Sequence, residues 1–287
     1  MLGVQRSAIP VAAAGFRART IVYWVTTLIV VAESIIGGVW DVTRTDYIRD
    51  VVEAQLGYPW FLPVIIGVCK IPGALVLLAP RMPRLKEWAY AGMVFIYIGA
   101  SASHFAEGNI QAGIGPLGFT ALTLTSWALR PVSRRDLGHR PWVPMRGWID
   151  GARNPIIGYW IFTTIIGFVL LSGGIADVVR RAGTSAGVLE LGYPAYFLTI
   201  LGVWKVLGVC ALLAPGLPRL KEWAYAGTFY MFAGAFISHL IVGSAVNHPI
   251  WTGLFAVCTI MSWILRPDNR VVEGPAAVRS VAKVAVV

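Results

Sequence analysis

Charge is what this sequence has least of. Charged residues occupy 13% of its 287 positions, about half the share of a soluble globular domain, while 57% are hydrophobic. That balance excludes an ordinary water-soluble fold. Cysteine is scarce as well. Cys69, Cys210 and Cys258 form no CxxC pair and fall within apolar stretches, which excludes a disulfide framework and leaves packing as their role. There is no HExxH and no Cys/His cluster, so no metal site is expected; a GxxxxGK[ST] phosphate loop, a dinucleotide fingerprint after a strand and a GxSxG elbow are also missing. The longest loops, about 18 to 26 residues, are too short to fold as a separate catalytic domain. Any chemistry must take place in the membrane or on a partner.

What is present is a series of apolar runs of about 17 to 21 residues, long enough to cross a hydrocarbon layer of about 30 Å. They lie near 21–40, 59–79, 87–105, 112–130, 156–176, 194–214, 222–241 and 249–265. The expected fold is all-α: a polytopic membrane protein with eight transmembrane helices and the lipid bilayer as its first partner. The net charge of +10 is distributed unevenly. Eighteen basic residues fall in the N-terminal segment, the loops after the second, fourth and sixth spans, and the C-terminal tail; only Arg44, Arg49, Arg180 and Arg181 fall in the other loops. The positive-inside rule therefore places both termini in the cytoplasm, and the basic linker follows from topology and lipid headgroups, without nucleic acid. The first twenty residues lack a short apolar core with a small-residue cleavage site, so the first span is expected to be retained. Arg outnumbers Lys, and Ala, Gly and Val are abundant, a composition that fits a GC-rich bacterium and hence a bacterial inner membrane.

The chain is also a duplication. Residues 80–104 match 215–239 at 15 of 25 positions, and the ten residues Pro83 to Gly92 recur unchanged as Pro218 to Gly227. Leu56-Gly57-Tyr58-Pro59 returns as Leu191-Gly192-Tyr193-Pro194, Lys70 as Lys205, and Ser103-His104 as Ser238-His239. An even number of spans per copy makes this a parallel repeat, with an axis near the membrane normal. The expected organisation is a cytoplasmic segment 1–20, a four-helix unit 21–130, a basic cytoplasmic linker 131–155, a second unit 156–266 and a cytoplasmic tail 267–287. Pro80 to Pro83 and Pro215 to Pro218 are expected to make tight cytoplasmic turns, each followed by Glu87 or Glu222 in a first helical turn, where the dipole favours an acid. Glu87, Trp88, Tyr90, Glu222, Trp223 and Tyr225 are the candidate residues of these turns. Trp24, Trp40, Trp60, Trp88, Trp127 and Trp223 read as an interfacial aromatic belt.

Function is sought where the apolar spans tolerate a costly residue. Lys70 and Lys205 fall near the midplane, where lysine costs about 2.5–3.5 kcal/mol on insertion scales unless a partner or a wet cavity relieves it. Glu33 is at a depth suited to pairing with Lys70, whereas the corresponding second-unit positions are Val169 and Leu170. Lys205 is therefore expected to lack an acid of its own unit, which makes the second unit the better ligand-site candidate. His104 and His239 close the third and seventh spans, as proton carriers, metal or haem ligands, quinone contacts or helix-end residues bonded to a loop. Asp41 and Asp177 follow paired glycines at outer helix ends and are candidates for an outer vestibule with the histidines.

The order Gly67-Val68-x-Lys70, then Pro83 to Gly92, then Ser103-His104, repeated as Gly202-Val203-x-Lys205, Pro218 to Gly227 and Ser238-His239, resembles the DoxX-like membrane proteins over about 220 residues. A typical member looks like one four-helix unit, so this chain looks like a fused pair. The resemblance implies a quinone-associated redox membrane subunit or anchor, with quinone as the cofactor candidate and a membrane or cytoplasmic redox partner. Lys70, Lys205, His104 and His239 would be its polar contacts. Two other functions use the same helices: a small-molecule permease with a cavity between the units, and a non-catalytic membrane scaffold for a redox or stress-response partner. No residue identifies a catalytic role.

Overall fold

A computed structural model of the protein describes residues 9–135, 154–180, 182–267 and Arg270. Most of the expected basic linker, the start of the N-terminal segment and nearly all of the C-terminal tail lie outside these residues. The described residues are helical, with no strand among them. Eight long helices account for most of the described residues: α1 (Ile9–Thr43), α2 (Phe61–Leu78), α3 (Pro83–Ala106), α4 (Ile110–Leu129), α5 (Pro155–Val178), α6 (Ala195–Leu213), α7 (Pro218–Val242) and α8 (Asn247–Ile264). They coincide with the eight apolar runs. Among the described residues five stretches, Arg17–Thr43, Phe61–Leu78, Pro155–Val178, Ala195–Leu213 and Pro218–Val242, are long and apolar enough to cross a membrane. The helices α3, α4 and α8 are of similar length. Buried serine, threonine and ionic side chains lower their apolar character.

Each unit is a four-helix bundle. The first helix packs on the second and fourth, and the third packs on the second and fourth; the same pattern holds for α5 to α8, and the units meet mainly through α3 and α7. Two cores result. One gathers Val30, Val31, Ala74, Leu77, Tyr90 and Met93, and the other Ile166, Leu170, Val209, Leu212, Tyr225 and Phe232. Outward faces are apolar too, with Val68, Ile114, Phe168, Val203 and Leu254 exposed, as expected where lipid replaces water.

Glycine sets the closest helix contact in both units. A Cβ on Gly67 would lie 2.5 Å from the Gly38 carbonyl oxygen, and one on Gly202 would lie 2.6 Å from that of Gly174. Small residues allow this approach, which brings side chains one turn away on facing helices within bonding reach. It is the geometric basis of both intramembrane lysine pairs. The chain turns before α2 and α6 at Gly57 and Gly192, whose φ values of 68° and 85° lie in the region that favours glycine. Tyr58 and Tyr193 follow them, and their rings meet across the units at 6.3 Å. Between α1 and α2 the chain runs through Asp46–Ile48 into a π-helical stretch, Arg49–Gln55. Arg44 pins that stretch by a two-pronged contact with Glu53 at 2.8 and 2.6 Å.

Candidate functional site

Lys70 lies midway along α2 and is almost wholly buried. Its Nζ donates to Glu33 Oε1 at 3.1 Å and forms an ion pair with Asp41 Oδ2 at 3.5 Å. The pairing of Glu33 with Lys70 expected from their depths is present, and Asp41 joins it. Glu33 also accepts a short hydrogen bond from the Tyr97 hydroxyl of α3. Ser34 links the same centre to the Tyr97 hydroxyl at 3.1 Å and to the Met93 sulfur at 3.2 Å. Phe119 of α4 stacks on the Tyr97 ring at 5.5 Å. Gly37 keeps the centre open, since a Cβ there would sit 2.9 Å from both Glu33 Oε1 and Lys70 Nζ. The arrangement can donate hydrogen bonds from an ammonium and two hydroxyls and can accept or hold protons on two carboxylates.

Lys205 corrects an expectation. It does have an acid in its own unit: Nζ donates to Asp177 Oδ2 at 2.6 Å. Two readings fail together, because Asp41 and Asp177 turn inward to the lysines and do not form an outer vestibule with the histidines. The physical reason is helix geometry. Each aspartate lies one turn beyond the paired glycines, and the facing helix approaches so closely there that the long lysine stem reaches the helix end. The second-unit site is otherwise stripped of polarity. Val169, Leu170 and Phe232 stand where the first unit has Glu33, Ser34 and Tyr97, and Leu170 and Phe232 belong to the second core. The richer polar centre is therefore in the first unit, opposite to the expectation.

The repeated ten-residue run builds a different structure. Each helix begins at its proline, Pro83 or Pro218, so Glu87 and Glu222 stand in the second turn and not in the first. Both are completely buried. Glu87 accepts from Arg130 Nη2 at 2.7 Å, from the Trp127 indole at 2.8 Å and from the Trp223 indole of the other unit at 2.9 Å. Glu222 accepts from Arg266 Nη2 at 2.8 Å, from Trp263 at 2.8 Å and from Trp88 of the other unit at 3.3 Å, with Arg84 also crossing to it at 3.4 Å. Three tryptophans read as interfacial belt, Trp88, Trp127 and Trp223, are thus ligands of buried carboxylates. A belt position and a buried glutamate contact both demand an amphipathic ring near a helix end, so composition alone does not separate them.

The rest of the run is equally occupied. Lys86 donates to the last carbonyls of α2, Val76 and Leu77, and Lys221 to those of α6, Ala211 and Leu212, neutralising the helix C-termini. Tyr90 bonds Ser126 at 2.7 Å under the Arg130 guanidinium, and Tyr225 bonds Ser262 at 2.8 Å under Arg266. Gly92 and Gly227 lie against Tyr230 and Phe95 of the opposite unit. Arg130, Arg266 and Trp263 were not among the candidates. Their signal was in the sequence: Ser126-Trp127-x-Leu129-Arg130-Pro131 recurs as Ser262-Trp263-x-Leu265-Arg266-Pro267. Tyr97 and Ser34 gave none, because they do not recur.

The histidines are buried near the C-terminal ends of α3 and α7. His239 Nδ1 lies 3.0 Å from Ser244 Oγ, a helix-end residue bonded to its following loop, and its ring meets His248 at 5.1 Å. His104 makes no side-chain hydrogen bond among the described residues. Neither joins a lysine centre. Nearby, burial pushes the Tyr58 and Tyr193 phenols above their ordinary range, so both stay protonated and bond Ser103 and Ser238 at 2.7 and 2.9 Å. Among the described residues no group of three His, Cys, Asp or Glu could hold a metal ion.

The sequence pattern of the DoxX-like family matches this chain twice, over residues 25–126 and 161–262. Each match covers one four-helix bundle. No curated protein and no solved structure matches the chain.

Proposed function

The chain belongs to the DoxX-like family, one unit of the family in each half, and on that premise we propose that it is a quinone-associated redox membrane subunit or anchor whose ligand site lies in the first unit. All eight long helices span the membrane in this reading, as units 21–130 and 156–266 joined by the linker 131–155. The segment 1–20, the tail 267–287 and the Glu87/Glu222 lattice face the cytoplasm of a bacterial cell. The lopsided basic residues support that orientation.

One observation carries the choice of site: the first unit alone surrounds its midplane lysine with Glu33, Ser34 and Tyr97. A quinone carbonyl needs hydrogen-bond donors within an apolar wall, and reduction needs a group that can supply protons. Lys70, whose ammonium has a third N–H beyond those facing its two carboxylates, and Tyr97, once its O–H turns from Glu33, serve the first need, and Glu33, partly open at 23% side-chain exposure, serves the second. The second unit, with its lysine closed on Asp177 among apolar neighbours, completes the bundle pair and the surface for a redox partner.

Mass spectrometry of lipid extracts from gently purified protein tests this. Wild-type protein and Lys205→Met are expected to carry quinone, and Lys70→Met and Tyr97→Phe to lose most of it. Equal quinone in all four, or none in the wild type supplied with quinone in vesicles, overturns the proposal. Substrate flux into vesicles without bound quinone would favour a permease instead.

A further inference from the structure

The two lysine centres differ in charge as well as in size. In the second unit one ammonium faces one carboxylate, Lys205 on Asp177, and the pair is neutral. In the first unit one ammonium faces two carboxylates, Glu33 at 3.1 Å and Asp41 at 3.5 Å. Fully ionised, that centre would carry a net negative charge between helices in an apolar slab, which is costly. The groups facing it account for every packed helix: Glu33 and Asp41 from α1, Lys70 from α2, Tyr97 from α3, and from α4 the uncharged ring of Phe119. Among the described residues no second cation pairs with these carboxylates. The Tyr97 hydroxyl donates to Glu33, so it stabilises negative charge without balancing it.

From this we infer that the first unit's Glu33–Lys70–Asp41 centre is a proton-binding site holding one exchangeable proton, shared by two carboxylates that flank a single lysine. The proton is the missing positive charge. Asp41 lies in the last turns of α1 at the outer end, and Glu33 lies two turns deeper. Lys70 bridges them, so the site joins the outer end of the bundle to its middle. Binding and release are simple ionisations: a carboxylate oxygen gains the proton to form an O–H bond, and loses it to water. The proton is shared because both carboxylates face the same ammonium. The inference does not depend on quinone, since a proton fills the charge deficit whatever else binds.

Infrared difference spectroscopy of the full chain in phospholipid vesicles, titrated across pH, reads this directly through the C=O stretch of protonated carboxylic acids. Wild-type protein is expected to show one such band near neutral pH that disappears on alkalinisation. Glu33→Gln and Asp41→Asn each leave one carboxylate per lysine and should abolish it, and Asp177→Asn should leave it unchanged. Lys70→Met, which removes the cation, should roughly double it. Absence of the band in wild-type protein, its survival in Glu33→Gln, or its loss in Asp177→Asn overturns the inference. Glu33→Gln carries the decision if Asp41→Asn does not fold, because Val169 at the equivalent position shows that the bundle accommodates an uncharged residue there. That result is independent of the quinone measurement.

Discussion

Trp223 of the second unit donates its indole N–H to Glu87 of the first at 2.9 Å, and Trp88 of the first donates to Glu222 of the second at 3.3 Å. The exchange makes each unit complete the other's buried carboxylate with a tryptophan of the repeated ten-residue run.

Glu87→Gln should therefore be among the most destabilising single changes. It leaves the Arg130 guanidinium, 1% exposed, without its counter-charge. Breaking a buried pair in this way costs about 3–5 kcal/mol. Trp223→Phe keeps the ring and removes one donor, for about 1–2 kcal/mol. Thermal unfolding in detergent should rank Glu87→Gln well below Trp223→Phe, and an equal effect would show that the ion pair contributes little.

Lys205→Met should destabilise by leaving Asp177 buried and unpaired, again by about 3–5 kcal/mol. Because the surrounding positions are already apolar, Lys205→Met combined with Asp177→Leu should recover most of the loss. A double variant no more stable than Lys205→Met would mean that the pair's geometry, and not its charge, holds α5 to α6.

Gly67→Ala places a methyl group against the Gly38 carbonyl and the Asp41 side chain. It should separate α1 from α2 and cost about 1–3 kcal/mol. Gly208→Ala on α6 meets nothing within 4 Å and serves as the control, expected to be neutral or stabilising. The Glu33–Lys70 pair should loosen only in the Gly67 variant, visible as a weakened coupling in a double-mutant cycle.

The Arg44–Glu53 contact has a definite pH signature. Its hydrogen bonds with Arg44 lower the Glu53 carboxyl from its ordinary value of 4.5. A lowered folded-state value means that the contribution is fully present above the unfolded value and is lost as pH falls through the folded one. Wild-type protein should exceed Glu53→Gln in stability at neutral pH, and the gap should close only in acid. A gap that persists at low pH would assign the effect to packing.

The apolar runs that become long helices, and the grouping of those helices into two repeated units, were legible in the sequence. Apolar run length is a local property set by the bilayer, and an exact repeat declares its own symmetry. The Lys70–Glu33 pair was legible because both residues are costly in an apolar span and lie at matching depths. Other features were not readable this way. Whether Asp177 belongs to solvent or to Lys205 depends on how closely α5 and α6 approach at Gly174 and Gly202. Whether Trp223 faces lipid or Glu87 depends on where the second unit packs against the first. The sequence by itself determined which residues are expensive to bury and which are repeated. Only the tertiary structure decided which of them meet, because helix approach distances and the contact between units are cooperative outcomes of packing that no single segment encodes.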